Sequence, residues 1–157
     1  MTAPRLALGI DSSTQGTAAV LIDLESPALA AEARVAYRGD PRLAGFGLKG
    51  NEFLLPPREE GEADQPVGLF LAALDAVLSD LPRDLLSRVA AVAVSAQQHG
   101  QVWLNPRAEG AFRALRLAGA GKPGSPGLAE RLASALASGR APIWMSSNAA
   151  REAGELR

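Results

Sequence analysis

Three short clusters in this 157-residue chain carry groups that can hold a phosphate, a metal ion or a hydroxylated ligand. The first is Asp11-Ser12-Ser13-Thr14-Gln15-Gly16-Thr17, set between the apolar runs Leu6 to Ile10 and Ala18 to Ile22. Its hydroxyls and backbone N–H groups can close around phosphate oxygens, and Gly16 permits the positive φ such a wrap often needs. Asp11 is the odd member, because a carboxylate about 4 Å from another anion is repelled by about 4 kcal/mol at an effective dielectric near 20. A cation standing between them removes the conflict. Mg²⁺ typically takes one or two carboxylates together with phosphates and waters, which makes Asp11 a candidate metal ligand, direct or through water. The same residues also fit an ordinary hairpin turn, where Asx and Ser/Thr caps bind nothing.

The second cluster, Gln97-Gln98-His99-Gly100-Gln101, follows the apolar run Val89 to Ser95. Carboxamides and an imidazole supply both donors and acceptors, which suits a neutral polyhydroxylated ligand. Trp103 nearby offers an apolar face for sugar C–H groups. A structural histidine at a strand end is the competing reading. The third cluster, Trp144-Met145-Ser146-Ser147-Asn148, stands where a strand-like run meets a helix start, and it reads equally as core aromatic plus cap.

The elements that must position these groups form an α/β pattern. The first two runs read as an antiparallel hairpin, and Ala30 to Tyr37 as a third strand. Gly39 to Gln65 is dense in Gly, Pro and charge and reads as a long loop with one extended piece, Glu52 to Leu55. Val67, Phe70, Leu71, Leu74, Val77 and Leu78 recur at helical spacing, with Asp64 as candidate cap, Pro66 at the start and Pro82 beyond the end. Val89 to Ser95 is almost continuously apolar, as in a strand covered on both faces of a parallel or mixed sheet. Ligands in such sheets gather at the carboxyl ends of the strands. After a Gly/Pro loop, Ala118 to Gly127, a helix is expected over Leu128 to Ser138. Ala141 to Met145 follows as a short extended run, with a further helix beginning after Ser146, Ser147 or Asn148.

Composition narrows the function classes. At 47% hydrophobic residues the chain can bury a core without disulfides or metals. A net charge of -1, from 16 basic and 17 acidic residues mixed along the sequence, supplies no basic face for nucleic acid. With no cysteine and one histidine, a multi-Cys or multi-His metal site is excluded, so a metal would rest on oxygen ligands. No run approaches the about 18 apolar residues of a membrane span, and no signal-peptide core follows Met1. A soluble cytoplasmic protein is expected. Nothing in the composition forces an oligomer, and a homodimer is compatible with it.

Taken in order, "LGIDSSTQGTAAVLID", "VAAVAVSAQQHGQVWL" and "APIWMSSNAA" resemble the N-terminal region of the FGGY carbohydrate kinases, most closely the xylulokinase branch. The resemblance runs from Leu6 to Arg157, although only these three blocks are specific. It implies a ribonuclease-H-like domain of the actin and hexokinase type, with a mixed sheet opened by the hairpin and flanked by helices. It further implies that residues 1–157 form an N-terminal kinase domain cut short, with the C-terminal domain absent.

The implied reaction is transfer of the ATP γ-phosphate to a ketopentose such as D-xylulose, with Mg²⁺. The resemblance puts Asp11, Ser13 and Thr14 beside the ATP phosphates and the metal, with Ser12, Gln15 and Gly16 alongside. It puts Gln98 and His99 on the sugar, His99 hydrogen-bonding a hydroxyl, and lines the sugar side with Trp144, Met145 and Ser146. Two positions depart from the family pattern: Ala18 stands where Lys or Arg is usual, and Ser146 where an Asp often follows the tryptophan pair. The general-base Asp and the adenine pocket of such kinases match nothing in these residues, so the chain alone is expected to be a poor or inactive kinase. The alternative is a non-catalytic sugar-binding or regulatory module derived from one.

Overall fold

The computed structural model describes residues 5–48, 53–118 and 125–155. Strands β1 (Leu6–Ser12) and β2 (Gly16–Asp23) form the expected antiparallel hairpin, and β3 (Leu29–Ala36) continues it. Strand β4 (Asp64–Pro66), helix α1 (Val67–Ser79) and the short helix α2 (Arg83–Leu86) lead into β5 (Val89–Ala96). β5 lies parallel to β1, giving a mixed four-stranded sheet in the order β3-β2-β1-β5. Then come α3 (Ala108–Ala118), α4 (Leu128–Leu132), β6 (Arg140–Pro142) and α5 (Ala150–Glu155). β6 pairs antiparallel with β4 as a separate two-stranded ribbon.

The sheet is apolar on one face because alternate residues of the hairpin are apolar, and α1 covers that face. Leu6, Leu21, Val35, Leu69 and Val77 are fully buried between them, and each such side chain contributes about 1.5–3 kcal/mol. Tyr37 closes the core's upper end, its ring 6.1 Å from that of Phe70. The buried stripe of α1 runs through Val67, Leu69, Ala73, Ala76 and Val77. Leu71, Leu74 and Leu78, which share the expected helical spacing, are only partly covered. Small alanines face the sheet because the helix packs close to it.

Several expectations are corrected. Asp64 does not cap α1: its carboxylate accepts from Arg140 Nε at 2.8 Å within the β4–β6 ribbon. The first helical N–H, that of Val67, is satisfied instead by the Gly139 carbonyl at 2.9 Å. The long loop contains a 3-10 turn, Pro41–Phe46, capped by the Asp40 side chain. Of the extended piece expected there, Glu52 lies outside the described residues, as do 119–124 of the Gly/Pro loop. Leu55 makes a backbone bond to the Asp64 carbonyl.

The helix expected over Leu128 to Ser138 stops at Leu132 and tightens into a 3-10 turn, Ala133–Ala135, because Leu136 turns extended to bridge Leu104. The Leu128 N–H is received by Asp75 of α1 at 2.5 Å, tying α4 to the core helix. Helix α3 carries an apolar stripe at helical spacing, Ala108, Ala111, Phe112 and Leu115, and is not among the elements expected from the sequence. Most consequentially, β5 is not covered on both faces. It pairs only with β1 and sits at the sheet edge, with Val92 and Val94 60% and 69% exposed. No helix of the described residues is long and apolar enough to cross a membrane.

Candidate phosphate and sugar site

Because β1 and β5 are parallel, their carboxyl ends lie side by side, with Asp11 opposite Ser95 and Ser12 opposite Ala96. The chain leaving β5 is held there by Gln97 N–H donating to the Ser12 carbonyl at 3.0 Å. Gln101 N–H donates to the Pro142 carbonyl at 3.1 Å, which draws the segment after β6 to the same end. All three chemical clusters of the sequence therefore meet at one edge of the sheet.

The hairpin turn is closed by Ser13, whose N–H and Oγ both donate to the Gly16 carbonyl, at 2.9 and 3.1 Å. Gly16 is needed for close approach rather than for positive φ: a Cβ there would lie 2.6 Å from the Val35 carbonyl of β3. Thr14 stands at the centre of a polar network. Its Oγ1 donates to Gln97 Oε1 and accepts from Trp144 Nε1, both at 3.1 Å. Gln97 Nε2 in turn donates to Gln65 Oε1 at 3.0 Å, and Gln65 Nε2 donates to the carbonyls of Thr14 and Phe53, each at 2.8 Å. Gln65 is fully buried, so these bonds are made away from water.

Two cavities open on either side of the Thr14–Trp144 contact. One, of about 460 Å³, is lined by Asp11, Ser13, Thr14, Gln97, Gln98, His99 and Trp144. The other, of about 760 Å³, is bounded by Ser13, Thr14, Gln15, Arg34, Leu55, Trp144 and Met145, among others. His99 takes φ 57, a left-handed conformation uncommon for residues other than glycine. Such a conformation costs of order 1–3 kcal/mol and clusters at ligand sites.

Of the sequence candidates, Asp11, Ser13, Thr14, Gln98, His99 and Trp144 share the smaller cavity, while Gln15 and Met145 border the larger. Ser12 and Ser146 border neither. Ser12 Oγ lies 3.3 Å from the Tyr37 hydroxyl, which Thr17 Oγ1 also meets at 3.3 Å, so Ser12 anchors the turn to the core. Ser146 Oγ accepts from Ala63 N–H at 3.0 Å and donates to Ala63 O at 2.9 Å, fastening the Trp144 segment to the strand before α1. Gln97, first of the second sequence cluster, organises the site together with Gln65, which is absent from the sequence-level candidates. The only signal for Gln65 was a polar residue directly before Pro66.

Glu62, which lines the larger cavity, belongs to an ion network with Asp64, Arg58 and Arg140. The Arg58 side chain and N–H, with Arg140 beside them, hold the Glu62 carboxyl down to about 2. Among the described residues no group of three or more His, Cys, Asp or Glu side chains could hold a metal ion. Among the described residues Asp11 is the only carboxylate on the smaller cavity. This donor set fits an ion that arrives with phosphate and takes one carboxylate from the protein.

No family model matches the chain. Curated relatives do. A probable D-xylulose kinase A of Arthroderma otae is 32% identical over 155 residues, covering 96% of this chain and 25% of the relative. The protein of the same name in Neosartorya fischeri is 30% identical over 153 residues with the same coverage. Among solved structures, a xyloylose kinase from Brucella ovis superposes with a TM-score of 0.60 at 18% identity, over 97% of this chain and 23% of its own. A ligand-bound xylulose kinase from Lactobacillus acidophilus gives 0.58 at 16%, over 96% and 22%. The chain thus spans about a quarter of the length of the curated relatives it matches.

Proposed function

From a chain that is homologous along its length to carbohydrate kinases of the FGGY family, we propose that residues 1–157 form the sugar- and phosphate-binding part of the N-terminal domain of a kinase. The reaction is transfer of the γ-phosphate of ATP to a ketopentose such as D-xylulose. One observation carries this reading: Asp11 and the Gln98-His99 pair, 87 and 88 positions apart, line one cavity at the carboxyl ends of β1 and β5. A carboxylate suited to a phosphate-borne metal and a donor-acceptor pair suited to hydroxyls are the two half-sites phosphoryl transfer must bring together.

Within that cavity Gln98 and His99 orient the sugar hydroxyls, and Trp144, fixed by its bond to Thr14, offers the sugar an apolar face. Asp11 and the Ser13–Thr14 backbone receive the phosphate end. When bound, Mg²⁺ would neutralise charge on the phosphate oxygens, with Asp11 as its protein ligand. The general base and the adenine pocket are assigned to the three-quarters of the relatives' length outside this chain. Calorimetric titration with D-xylulose, D-gluconate and glycerol tests the reading. D-xylulose should bind most tightly; binding by none of the three would contradict it.

A second reading, a sugar-binding module without catalysis, is supported by the lining of the smaller cavity: among the described residues Asp11 is its one carboxylate, and with Asp11 serving a metal none would be left as general base. The two readings separate in a coupled assay of ADP release by the chain joined to a C-terminal kinase domain. Sugar-dependent turnover supports the kinase, and sugar binding with no turnover supports the module.

A further inference from the structure

Directly opposed residues on neighbouring strands share a face. The registers therefore place Arg34, Ala18, Asp11 and Ser95 in one row across β3, β2, β1 and β5. Thr17, Ala19 and Val35 alternate with this row and are buried beneath it, so the row lies on the face opposite α1. Ala18 contributes only a methyl group. The backbones of Asp11 and Arg34 are thus separated by two strand spacings, about 10 Å, with a shallow gap between them.

Arg34 is exposed and borders the larger cavity together with Ser13, Thr14 and Gln15. Among the described residues no hydrogen bond or ion pair engages it. Arg42, Arg58 and Arg140 are different: each is held by two carboxylates and is committed to the fold. A guanidinium offers a fork of donors that matches a phosphate, and an unengaged one beside a hydroxyl-rich turn is arranged for an anion.

We propose that Arg34 is the cationic anchor of the phosphate chain, gripping its oxygens from β3 across the gap left by Ala18, while Asp11 at the other end of the row serves the metal ion. This rests on the phosphoryl-transfer reading of the site. It also accounts for Ala18: the positive charge missing from β2 is supplied one strand over, on the same face, by a side chain long enough to reach back.

The test is calorimetric titration of the chain with Mg²⁺-tripolyphosphate and, separately, with D-xylulose. Arg34→Met should weaken tripolyphosphate binding roughly tenfold, the loss expected of one charge-assisted hydrogen-bonding group, with D-xylulose affinity and melting temperature unchanged. Adding Ala18→Lys to Arg34→Met should restore most of the lost affinity by returning a cation to the same row. Unaltered tripolyphosphate binding by Arg34→Met, or an equal loss for both ligands, would overturn the proposal. So would a parent chain that binds D-xylulose but not tripolyphosphate, which leaves the sugar reading standing. A parent chain that binds neither overturns the functional reading and this proposal together.

Discussion

His99 and Gln65 show two ways a single residue serves this site. His99 is held at φ 57 with an exposed side chain, so its backbone conformation works against folding while its imidazole faces the cavity. His99→Gly should therefore leave the urea midpoint unchanged or higher, since glycine adopts this conformation without strain, while D-xylulose binding falls. A lower midpoint would mean the imidazole holds the fold. Gln65 is the reverse case, buried and wholly occupied by Thr14, Phe53 and Gln97. Gln65→Leu leaves two carbonyls and a carboxamide without their partner, and we expect a loss of about 1–3 kcal/mol in urea denaturation. The polar cluster that holds His99 was legible in the sequence because donors and acceptors gather directly after an apolar run. The role of Gln65 was not, because its partners are 12, 32 and 51 positions away and only the fold brings them to it.

At the scale of elements, the hairpin and β3 were readable from alternation and β-branched residues, and the structure keeps them. The start of α1 was read correctly and its cap wrongly, because Asp64 finds Arg140 of β6, a long-range partner that no local pattern announces. That ribbon makes a pH prediction. Arg58 first, then Arg140, hold the Glu62 carboxyl at about 2, below its ordinary value of 4.5. A depressed carboxyl contributes stability that is complete above about pH 4.5 and is lost as pH falls toward 2. Thermal midpoints measured from pH 6 to 2 should fall through this window, and Glu62→Gln should flatten the fall. A profile with the same slope in the variant would assign acid sensitivity elsewhere. Gly16 belongs to this scale as well. Gly16→Ala drives a methyl to 2.6 Å from the Val35 carbonyl, so β2 and β3 must separate and the thermal midpoint should drop.

Seen whole, the molecule is asymmetric. One face of the sheet is packed by α1 and the other carries the Arg34-Ala18-Asp11-Ser95 row, while the exposed valines of β5, opposed to Leu8 and Ile10, stand on the α1 side of the sheet where it is left uncovered. The continuous apolar run of β5 suggested a strand covered on both sides, and its edge position here is the largest departure from the sequence expectation. Its carboxyl end nevertheless delivers Gln98 and His99 to Asp11, and that meeting was foreseeable only once the strands were known to be parallel. The central claim is that this shared cavity takes a sugar through His99. Titration of D-xylulose into the chain and into His99→Ala tests it most directly: saturable binding by the parent, weakened at least several-fold by the substitution, is the expected result, and equal affinity in both would contradict it.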